Sequence, residues 1–446
     1  MSAKQPVLDA VIVLAAGRSR RMAGETPKVL KRLAGAPMIA HVIRAVEPLQ
    51  AHQILCVLPP PPHGTDIHSH IPTTVYVPQD KPLGTADAVS CAVRSLPSLA
   101  TGAKGDTLIL FGDTPLVETT LLRELLAHRH RTDAGLVLAA VHEEPPCDYG
   151  RLITNAQGHI ERIVEAHNAT PEQYALTLNN GGIFVVKTAH LAPLLHAVTQ
   201  NPKSGEYDLT QIVQHATQKT IPVNYLMADS ESLHGVNTLS ALAQAESLMQ
   251  MRLRQRALDN GVQLIDPSTT TLSYDSQFGT QVTLEPHVVI GTNVRIGDRS
   301  TIRAFSSIEG AQIDTDATIG PYARIRPSSI IGTHSRIGNF VEIKNARIGK
   351  HTNINHLSYI GDATVGDNVN IGAGVITCNY DGKNKHTTII EDNAFIGSNC
   401  ALIAPLTIEK KAVVAAGSTL TQDVPSGALG VARCRQKTIP RYKRAP

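Results

Sequence analysis

A glycine-containing turn directly after a short apolar run is the first feature that could do chemistry. The apolar run covers residues 11–16, and the segment LAAGRSRRM covers residues 14–22. A turn of this kind presents backbone N–H groups to an anion such as a phosphate. A dinucleotide-binding loop is a poor match, because Gly17 and Gly24 do not provide the GxGxxG spacing. The turn therefore indicates an anion site without defining the ligand.

A histidine in the second half of the chain is the other chemical candidate. His356 lies in the segment NHLSYIGDA, two residues after the apolar Ile354. Imidazole titrates near neutral pH and can act as a general base. The chain has 19 histidines, and most of them are expected to be surface residues without a catalytic role. Its place in a sequence repeat, two residues after Ile354, predicts only that its side chain projects from the surface.

That repeat returns an apolar residue every six positions, often followed by glycine. Its members are Ile290, Ile296, Ile302, Ile308, Ile313, Ile319, Ile325, Ile331, Ile337, Ile343, Ile348, Ile354, Ile360, Val365 and Ile371. Only the steps 308–313, 343–348 and 360–365 are five residues long. Period six fits neither a helix nor an ordinary alternating strand.

A coil of short parallel strands does fit this period, with each hexad forming one flat face. Stacked coils bury the inward side chains, and each buried Ile contributes roughly 1.5–3 kcal/mol. Because one coil cannot bury its own apolar face, stability comes from neighbouring coils. We expect the glycine after each inward residue to occupy a tight corner, where a Cβ would be strained.

The ladder stops after Thr377 at the polar segment CNYDGKNKH. It resumes at Ile390 and continues through Ile396, Leu402, Ile408, Val414 and Leu420. The interruption predicts an external loop. Loops that leave a rigid scaffold tend to carry function, although a tolerated insertion is the alternative.

The first half of the chain alternates apolar strand-like runs with helical patterns. The runs AVIVLAAG, QILCVLP, TTVYVPQ, TLILFGD and GLVLAAV alternate with helical spacing at residues 38–46, 86–96 and 119–131. This order predicts a Rossmann-like α/β domain with a mainly parallel sheet covered on both faces. Ligands of such sheets bind at the carboxyl ends of the strands.

A long helical segment follows, from a cap near Asn237 to Gly261, rich in Ala, Leu, Met, Gln and Arg. We interpret it as a helix that links two domains. The predicted division is therefore 1–236 for the α/β domain, 237–261 for the linker helix and 262–446 for the repeat domain with a basic tail.

Composition excludes several classes of protein. The formal charge is +3 and 18% of residues are charged, so nucleic acid is not an expected partner. The six cysteines lack CxxC spacing, which argues against a zinc site or a disulfide framework. No segment approaches the ~20 apolar residues needed to insert into a membrane. We expect a reduced, cytoplasmic protein whose basic tail, residues 433–444, either is solvated or contacts phosphates.

Further segments carry a family resemblance. They are TPKVL (26–30), QDKPLGTADAV (79–89), FGDTPL (111–116), DYGRL (148–152), IVEAHNA (163–169), LNNGGIF (178–184) and GVN (235–237). In order and spacing they resemble the sugar-1-phosphate nucleotidylyltransferases. The repeat resembles the left-handed parallel β-helix of the hexapeptide acyltransferases. Together, over about residues 10–433, they resemble bifunctional enzymes that acetylate glucosamine-1-phosphate with acetyl-CoA and then transfer UMP from UTP to N-acetylglucosamine-1-phosphate.

The resemblance assigns a first set of residues to the nucleotidyl transfer. These are Leu14, Ala15, Ala16, Gly17, Arg21, Lys28, Gln79, Gly84, Thr85, Phe111, Gly112, Asp113, Gly150, Glu165, Asn180 and Asn237. The first four would cradle UTP, and Arg21 and Lys28 would meet its phosphates. Asp113 and Asn237 would hold Mg²⁺, since that ion prefers oxygen ligands.

The remaining members of this set would recognise the base and the sugar. The resemblance implies that Gln79, Gly84 and Thr85 read uracil. Gly150, Glu165 and Asn180 would hold the N-acetylglucosamine moiety. The chain departs from the family pattern LAAGxGTRM, because Ser19 and Arg20 replace Gly and Thr, and Phe111 replaces the usual Tyr.

A second set is assigned to acetyl transfer, with His356 as the base. Glucosamine-1-phosphate would contact Arg326, Lys344, Tyr359 and Asn370, and acetyl-CoA would contact Ala373, Asn379, Tyr380, Ser398, Ala416 and Arg433. In this family the loop carrying Asn379 and Tyr380 reaches a neighbouring subunit, so the resemblance also implies a homotrimer.

Two alternatives stay open at the level of sequence. The chain could be a single-function sugar-1-phosphate nucleotidylyltransferase whose β-helix serves only oligomerisation or regulation. It could also be a non-enzymatic solenoid that binds a flat surface. Such a solenoid needs a repetitive outer face, whereas the outward positions here mix Arg, Asp, His and Asn.

Overall fold

The computed structural model describes residues 7–17, 22, 26–100 and 103–440. The chain divides into two compact units, residues 1–249 and 250–446. Each unit has its own sheet architecture, as the change from mixed periodicity to period six predicts.

The first unit contains eleven strands within the described residues. They are β1 (Leu8–Leu14), β2 (Arg32–Leu33), β3 (Ala36–Pro37), β4 (Gln53–Leu58), β5 (Val75–Pro78), β6 (Asp106–Phe111), β7 (Leu136–His142), β8 (Arg151–Thr154), β9 (Ile160–Val164), β10 (Leu178–Lys187) and β11 (Val223–Met227). The helices are α1 (Met38–Val46), α2 (His63–Ser69), α3 (Thr85–Ser95), α4 (Thr119–Thr132), α5 (Pro171–Tyr174), α6 (Thr188–Leu195), α7 (Gln211–Gln218) and α8 (Leu239–Asp259).

The main sheet has the strand order β11-β7-β10-β6-β1-β4-β5. Its pairings are parallel except those of β10, which runs antiparallel to β6 and β7. The hairpin of β8 and β9 joins the sheet through β10. The predicted mainly parallel sheet is confirmed, and the carboxyl ends of β1 and β6 are neighbours.

Side chains of β1 show why helices cover both faces. Val11 and Val13 enter one apolar layer, with α1 and α4, while Ile12 and Leu14 enter the other, with α3, α6 and α7. All four are nearly inaccessible to solvent. Successive side chains of β1 point to opposite faces of the sheet, and both sets are apolar. Each face of the sheet must therefore be covered by helices.

The helix predicted between the two patterns is α8, which contributes to both compact units. The Oγ1 of Thr238 accepts a hydrogen bond from the N–H of Ala241 at 3.1 Å and caps the helix. Gly261, with φ of 81°, follows its end. The functional domain boundaries at residues 236 and 261 stay a prediction, because the division by contacts falls inside the helix.

The second unit stacks short parallel strands into three ladders. The first contains Gln263–Leu264, Thr283–Leu284, Thr301–Ile302, Thr318–Ile319, Arg336–Asn339, Asn353–His356, Asn370–Ile371, Phe395–Ile396, Val413–Val414 and Leu429–Gly430. The second contains Val289–Ile290, Ser307–Ile308, Arg324–Ile325, Glu342–Ile348, Tyr359–Val365, Ile376–Cys378, Ala401–Ile403 and Thr419–Leu420. The third contains Gln277–Phe278, Arg295–Ile296, Ala311–Ile313, Ser329–Ile331, Thr388–Ile390 and Leu406–Ile408, together with the last residues of Glu342–Ile348 and Tyr359–Val365.

Every residue of the predicted inward register is buried, from Ile290 at 1% exposed to Leu420 at 5%. The three five-residue steps share one location, the bend between second-ladder and third-ladder strands. The strands Glu342–Ile348 and Tyr359–Val365 run continuously around this bend. The predicted β-helix core is therefore confirmed residue by residue.

A Cβ would be strained at the glycines that follow inward residues, as expected. Most of these glycines do not have a positive φ, with Gly320 (94°) as an exception, and left-handed conformations occur two positions later, as at Asn293 and Asn368. A Cβ on Gly338 would lie 2.0 Å from the carbonyl oxygen of Asn355 in the next coil. Glycine is required there because adjacent coils approach closely, whereas the strained φ belongs to a later residue of the turn.

Replacing Ile390 with alanine is expected to destabilise the β-helix by about 2–5 kcal/mol, because its side chain is 1% exposed within the stack. Ile389 is the matched control, since it is the adjacent residue and is 40% exposed. Its alanine variant should change the free energy of unfolding by less than about 1 kcal/mol. Guanidinium unfolding followed by circular dichroism measures both, and equal losses would contradict the inward register.

Candidate functional sites

A cavity of about 530 Å³ opens at the carboxyl ends of β1, β5 and β6. Its lining residues are Leu14, Ala15, Ala16, Gly17, Lys28, Val29, Gln79, Pro82, Gly84, Thr85, Ala88, Phe111, Asp113 and Glu206. Ten of these fourteen were named from the sequence. A larger cleft of about 660 Å³ beside α7 and β9 contains none of the named residues.

The loops after β1 and β6 meet at the floor of this cavity. The N–H of Gly112 donates to the carbonyl oxygen of Leu14 at 2.9 Å. A Cβ on Gly112 would lie 2.8 Å from that of Ala15, so glycine lets the two loops touch. Three residues of the loop after β1 lie outside the described residues. They are Arg21, which was predicted to meet the phosphates, and Ser19 and Arg20, at which the chain departs from the family pattern.

Three polar side chains converge beside the cavity. The Lys28 ammonium pairs with the Asp113 carboxylate and also donates to Oδ1 of Asn237 at 2.8 Å. A cation thus lies against one carboxylate and one amide oxygen. Hard oxygen ligands of this kind are those Mg²⁺ prefers, so the donor set fits the predicted metal.

The three residues predicted to hold a sugar also come together. The N–H of Asn180 donates to the carbonyl oxygen of Gly150 at 2.8 Å. A Cβ on Gly150 would lie 3.5 Å from Oε2 of Glu165. Burial raises the pKa of the Glu165 carboxyl, and a hydrogen bond from Thr210 at 2.8 Å opposes that effect.

In the second unit, His356 ends a first-ladder strand and is exposed. Its Nδ1 lies 2.6 Å from Oδ1 of Asn339, the residue at the same position one coil earlier. Since that oxygen can only accept, Nδ1 carries the proton and Nε2 is the basic nitrogen. The geometry suits a general base held in one tautomer.

His356 belongs to a column on one edge of the β-helix. We call corner A the bend between first-ladder and second-ladder strands, carrying His356, Ala373, Ser398 and Ala416. Backbone hydrogen bonds connect the successive coils: Gly374 to His356, Asn399 to Ala373 and Gly417 to Ser398, at 3.2, 2.7 and 2.8 Å. Arg433 approaches the end of this column beside Gly417. Four of the six residues predicted to contact acetyl-CoA are therefore aligned with His356.

The other predicted residues lie elsewhere on the coil. We call corner B the bend between second-ladder and third-ladder strands, carrying Asn345, Asp362 and Asn379. Arg326, Lys344 and Tyr380 lie at or next to corner B, whereas Tyr359 begins a second-ladder strand and Asn370 lies on the first ladder. One chain therefore does not place all of the predicted acetyltransferase residues on one edge.

Similarity to known proteins agrees with this two-part layout. A family model described as the MobA-like NTP transferase domain matches residues 11–250. The GMPPB C-terminal domain matches residues 307–381, and the hexapeptide repeat of succinyl-transferase matches residues 387–422. Relatives named bifunctional protein GlmU from Zymomonas mobilis, Paramagnetospirillum magneticum and Ralstonia pickettii are 41%, 42% and 40% identical. They cover 98%, 96% and 97% of this chain and 96%, 94% and 98% of their own.

The chain belongs to the bifunctional GlmU family.

Membership of the GlmU family makes the chain a bifunctional transferase, with a nucleotidyltransferase unit and a left-handed β-helix acyltransferase unit. Family membership favours a bifunctional enzyme over the single-function alternative. The relatives named bifunctional match this chain over nearly their full lengths. Among the described helices, no segment has the length and apolar character needed to cross a bilayer.

For this GlmU family member the sequence missed supporting residues around both sites. Arg151 is fully buried, and its guanidinium donates to backbone carbonyls of Cys147 and Tyr149 and lies 4.3 Å from the ring centre of Tyr174. It holds the loop that precedes Gly150. The sequence shows that Arg151 follows Gly150, but no local pattern indicates that its side chain is buried.

At corner B, the carboxylate of Asp362 accepts hydrogen bonds from Asn345, at 2.6 Å, and from Asn379. Burial acts to raise the pKa of Asp362, but these bonds and the nearby Lys344 and Lys385 outweigh it, so the pKa lies below its ordinary value. Asp362 thereby anchors the base of the interrupting loop. Spacing did not reveal it, because its partners are seventeen residues away on either side.

The interrupting loop itself is an ordered hairpin. The N–H of His386 donates to the carbonyl oxygen of Asn379 at 2.8 Å. Asp381 accepts from the backbone of Lys383 and Asn384, and from Nε2 of His386 at 2.7 Å. These contacts, led by the backbone bond from Asn384, lower the pKa of Asp381 to about 2. The predicted external loop is confirmed, and it leaves the scaffold at corner B.

Arg326 has a carboxylate neighbour that the sequence did not suggest. Its guanidinium donates to Oε1 of Glu342 at 2.9 Å, one coil further along. The pair leaves other guanidinium donors for a phosphate, and Glu342 orients the group.

Proposed function

We propose that the chain acetylates glucosamine-1-phosphate with acetyl-CoA and then transfers UMP from UTP to N-acetylglucosamine-1-phosphate, releasing pyrophosphate. The observation that supports this most directly is the shared cavity, in which ten residues named from the resemblance lie together. Corner A, with its basic Nε2 and its column of small residues, supports the acetyl transfer.

In uridylyl transfer, a phosphate oxygen of the sugar attacks the α-phosphorus of UTP and the bond to pyrophosphate breaks. Two polyanions must be aligned, so positioning and positive charge supply most of the catalysis. The turn at residues 14–17 offers backbone donors to the triphosphate, and Lys28 supplies a compact positive charge. Asp113 and Asn237 would hold Mg²⁺, which neutralises phosphate charge when bound.

The acceptor sugar is placed by the group around Gly150. An ionised Glu165 can accept hydrogen bonds from sugar hydroxyls. Gly150 lacks a side chain beside that carboxylate, which leaves room for the acetamido group. Asn180 contributes an amide held against the backbone of Gly182 at 3.1 Å.

Because the pKa of Glu165 is raised, we expect the KM for N-acetylglucosamine-1-phosphate to rise as pH falls. As the pH is lowered, the KM should begin to rise at a higher pH than it would for an exposed glutamate. The reason is that a buried carboxylate is protonated at a higher pH. Steady-state kinetics with saturating UTP measure it. The variant Glu165→Gln should have a raised KM that no longer responds to pH in that range. A wild-type profile parallel to that of Glu165→Gln would contradict the role of the ionised carboxylate.

In acetyl transfer, the amine nitrogen of glucosamine-1-phosphate attacks the thioester carbonyl of acetyl-CoA, and Nε2 of His356 takes the proton that the amine loses. The new C–N bond forms, the C–S bond breaks, and the thiolate of CoA leaves and is protonated. Arg326 and Lys344 would meet the sugar phosphate, with Tyr359 and Asn370 beside the sugar. Ala373, Ser398 and Ala416 would admit the pantetheine arm of acetyl-CoA, and Arg433 would face a CoA phosphate.

The separation of corners A and B supports the proposed homotrimer. Five residues lie between His356 and Asp362 along the coil. Lys344 and Asn379 lie at or next to corner B, on a different edge of the coil from His356. Corner B of a neighbouring copy would complete the site, with Asn379 and Tyr380 contributed across the interface.

A coupled assay with glucosamine-1-phosphate, acetyl-CoA, UTP and Mg²⁺, omitting each in turn, tests the proposal. Free CoA should appear without UTP, and pyrophosphate should appear without acetyl-CoA only when N-acetylglucosamine-1-phosphate is supplied. Pyrophosphate release with no CoA release would establish the single-function alternative. Light scattering of the same preparation checks the trimer, and a fully active monomer would overturn the shared site.

A further inference from the structure

The amide of Gln79 is held in one orientation at the edge of the nucleotide cavity. Gln79 follows β5, lines the cavity and is 6% exposed. Its Nε2 donates to the carbonyl oxygen of Gly84 at 3.1 Å and to Oδ2 of Asp87 at 2.8 Å. Both hydrogens of that nitrogen are therefore used.

Neither partner of Nε2 can donate a hydrogen bond. A backbone carbonyl and an ionised carboxylate are acceptors only. A 180° flip of the Gln79 amide would exchange Nε2 and Oε1 and place Oε1 against two acceptors. Both hydrogen bonds would be lost and replaced by repulsion. The orientation follows from the chemistry of the two partners, and Oε1 is the amide atom left for a ligand in the cavity that Gln79 lines.

An acceptor at this point distinguishes two pyrimidines. Uracil carries a proton on N3 and can donate to Oε1, whereas N3 of cytosine has a lone pair that repels it. A buried polar group that pairs with one ligand and is left unpaired by another discriminates strongly between them. Thymine also carries a proton on N3, so this contact separates uracil from cytosine and not from thymine.

We propose that Asp87 sets the preference for UTP over CTP, by holding Gln79 so that its carbonyl oxygen reads the base. Asp87 lies in the first turn of α3 with its side chain 20% exposed, and it is a positioning residue. This inference rests on the proposed role of Gln79 at the base. A carboxylate at a helix start also stabilises the helix, so the test must separate selectivity from stability.

The experiment compares kcat/KM for UTP and CTP in full-length variants. Asparagine at position 87 can either accept from or donate to Gln79, so Asp87→Asn should lower the UTP to CTP ratio about 10-fold, with a gain for CTP. Gln79→Met removes the amide at similar length and should lower the ratio by about 100-fold or more. Asp80→Asn is the matched control, because it removes the exposed carboxylate of the next residue, which is not one of the two hydrogen-bond partners of the Gln79 amide, and it should leave the ratio unchanged.

The outcomes are separable. A ratio that falls in Gln79→Met but not in Asp87→Asn overturns the role of Asp87 alone. A ratio unchanged in Gln79→Met overturns the base contact and this inference with it, while absence of UTP turnover in the wild type contradicts the proposed function itself. A helix-stabilising role alone would lower the thermal midpoint of Asp87→Asn without changing the ratio, and that result also overturns the inference.

Discussion

Replacing His356 with alanine is expected to lower acetyl transfer by about 10²- to 10⁴-fold, the usual contribution of a positioned general base. The His356 imidazole is the proposed base at corner A, and its Nδ1 lies 2.6 Å from Oδ1 of Asn339, which orients the ring. CoA release measures the loss. Uridylyl transfer from UTP to supplied N-acetylglucosamine-1-phosphate should stay within about twofold of the wild type, because its residues lie in the other compact unit.

The matched control for this variant is His351→Asn. His351 is an exposed histidine in the same coil, it stacks on His334, and its φ of 55° is one that asparagine tolerates. Both activities should persist in it. Retention of acetyl transfer by His356→Ala, with wild-type kcat and KM, would remove the imidazole from the mechanism.

Asp113→Ala is expected to lower uridylyl transfer by about 10²-fold or more, since the proposed metal ligand and the partner of Lys28 are lost together. The Mg²⁺ concentration needed for half-maximal rate should also rise. Pyrophosphate release at a series of Mg²⁺ concentrations measures both effects. Acetyl transfer should be unchanged.

Asp80→Asn serves as the control of equal charge change, because Asp80 is exposed and does not line the cavity. It should keep the wild-type response to Mg²⁺. Simultaneous loss of both activities in a folded Asp113→Ala or His356→Ala variant would refute two independent sites. An unchanged Mg²⁺ dependence in Asp113→Ala would remove that carboxylate from the proposed metal site.

Much of the fold was predictable because its signals are local and periodic. Period six identified each inward residue from Ile290 to Leu420, and burial of a flat face against its neighbours needs no other information. The alternation of strand and helix patterns predicted the parallel sheet. Thr238 provided the cap close to the predicted start of α8.

Much of the candidate site was predictable from motif order. Ten residues named in this way line one cavity, and Gly150, Glu165 and Asn180 meet as expected. The functional role of each residue stays a prediction. The strain of a Cβ at the repeat glycines was predicted, but its source was not, because the close approach of Asn355 to Gly338 depends on the rise between coils.

The sequence by itself determined the two architectures and the buried register, and it predicted the residues of each site, since these depend on periodicity and on motifs within short segments. Only the tertiary structure decided which atoms those residues present. Asp87 turns the amide of Gln79, Asp362 anchors Asn379, and Arg151 holds the loop before Gly150. It also decided that the residues predicted for acetyl transfer occupy two corners of the coil. Hydrogen-bond direction and coil position depend on partners brought together by folding, and spacing along the chain does not encode them.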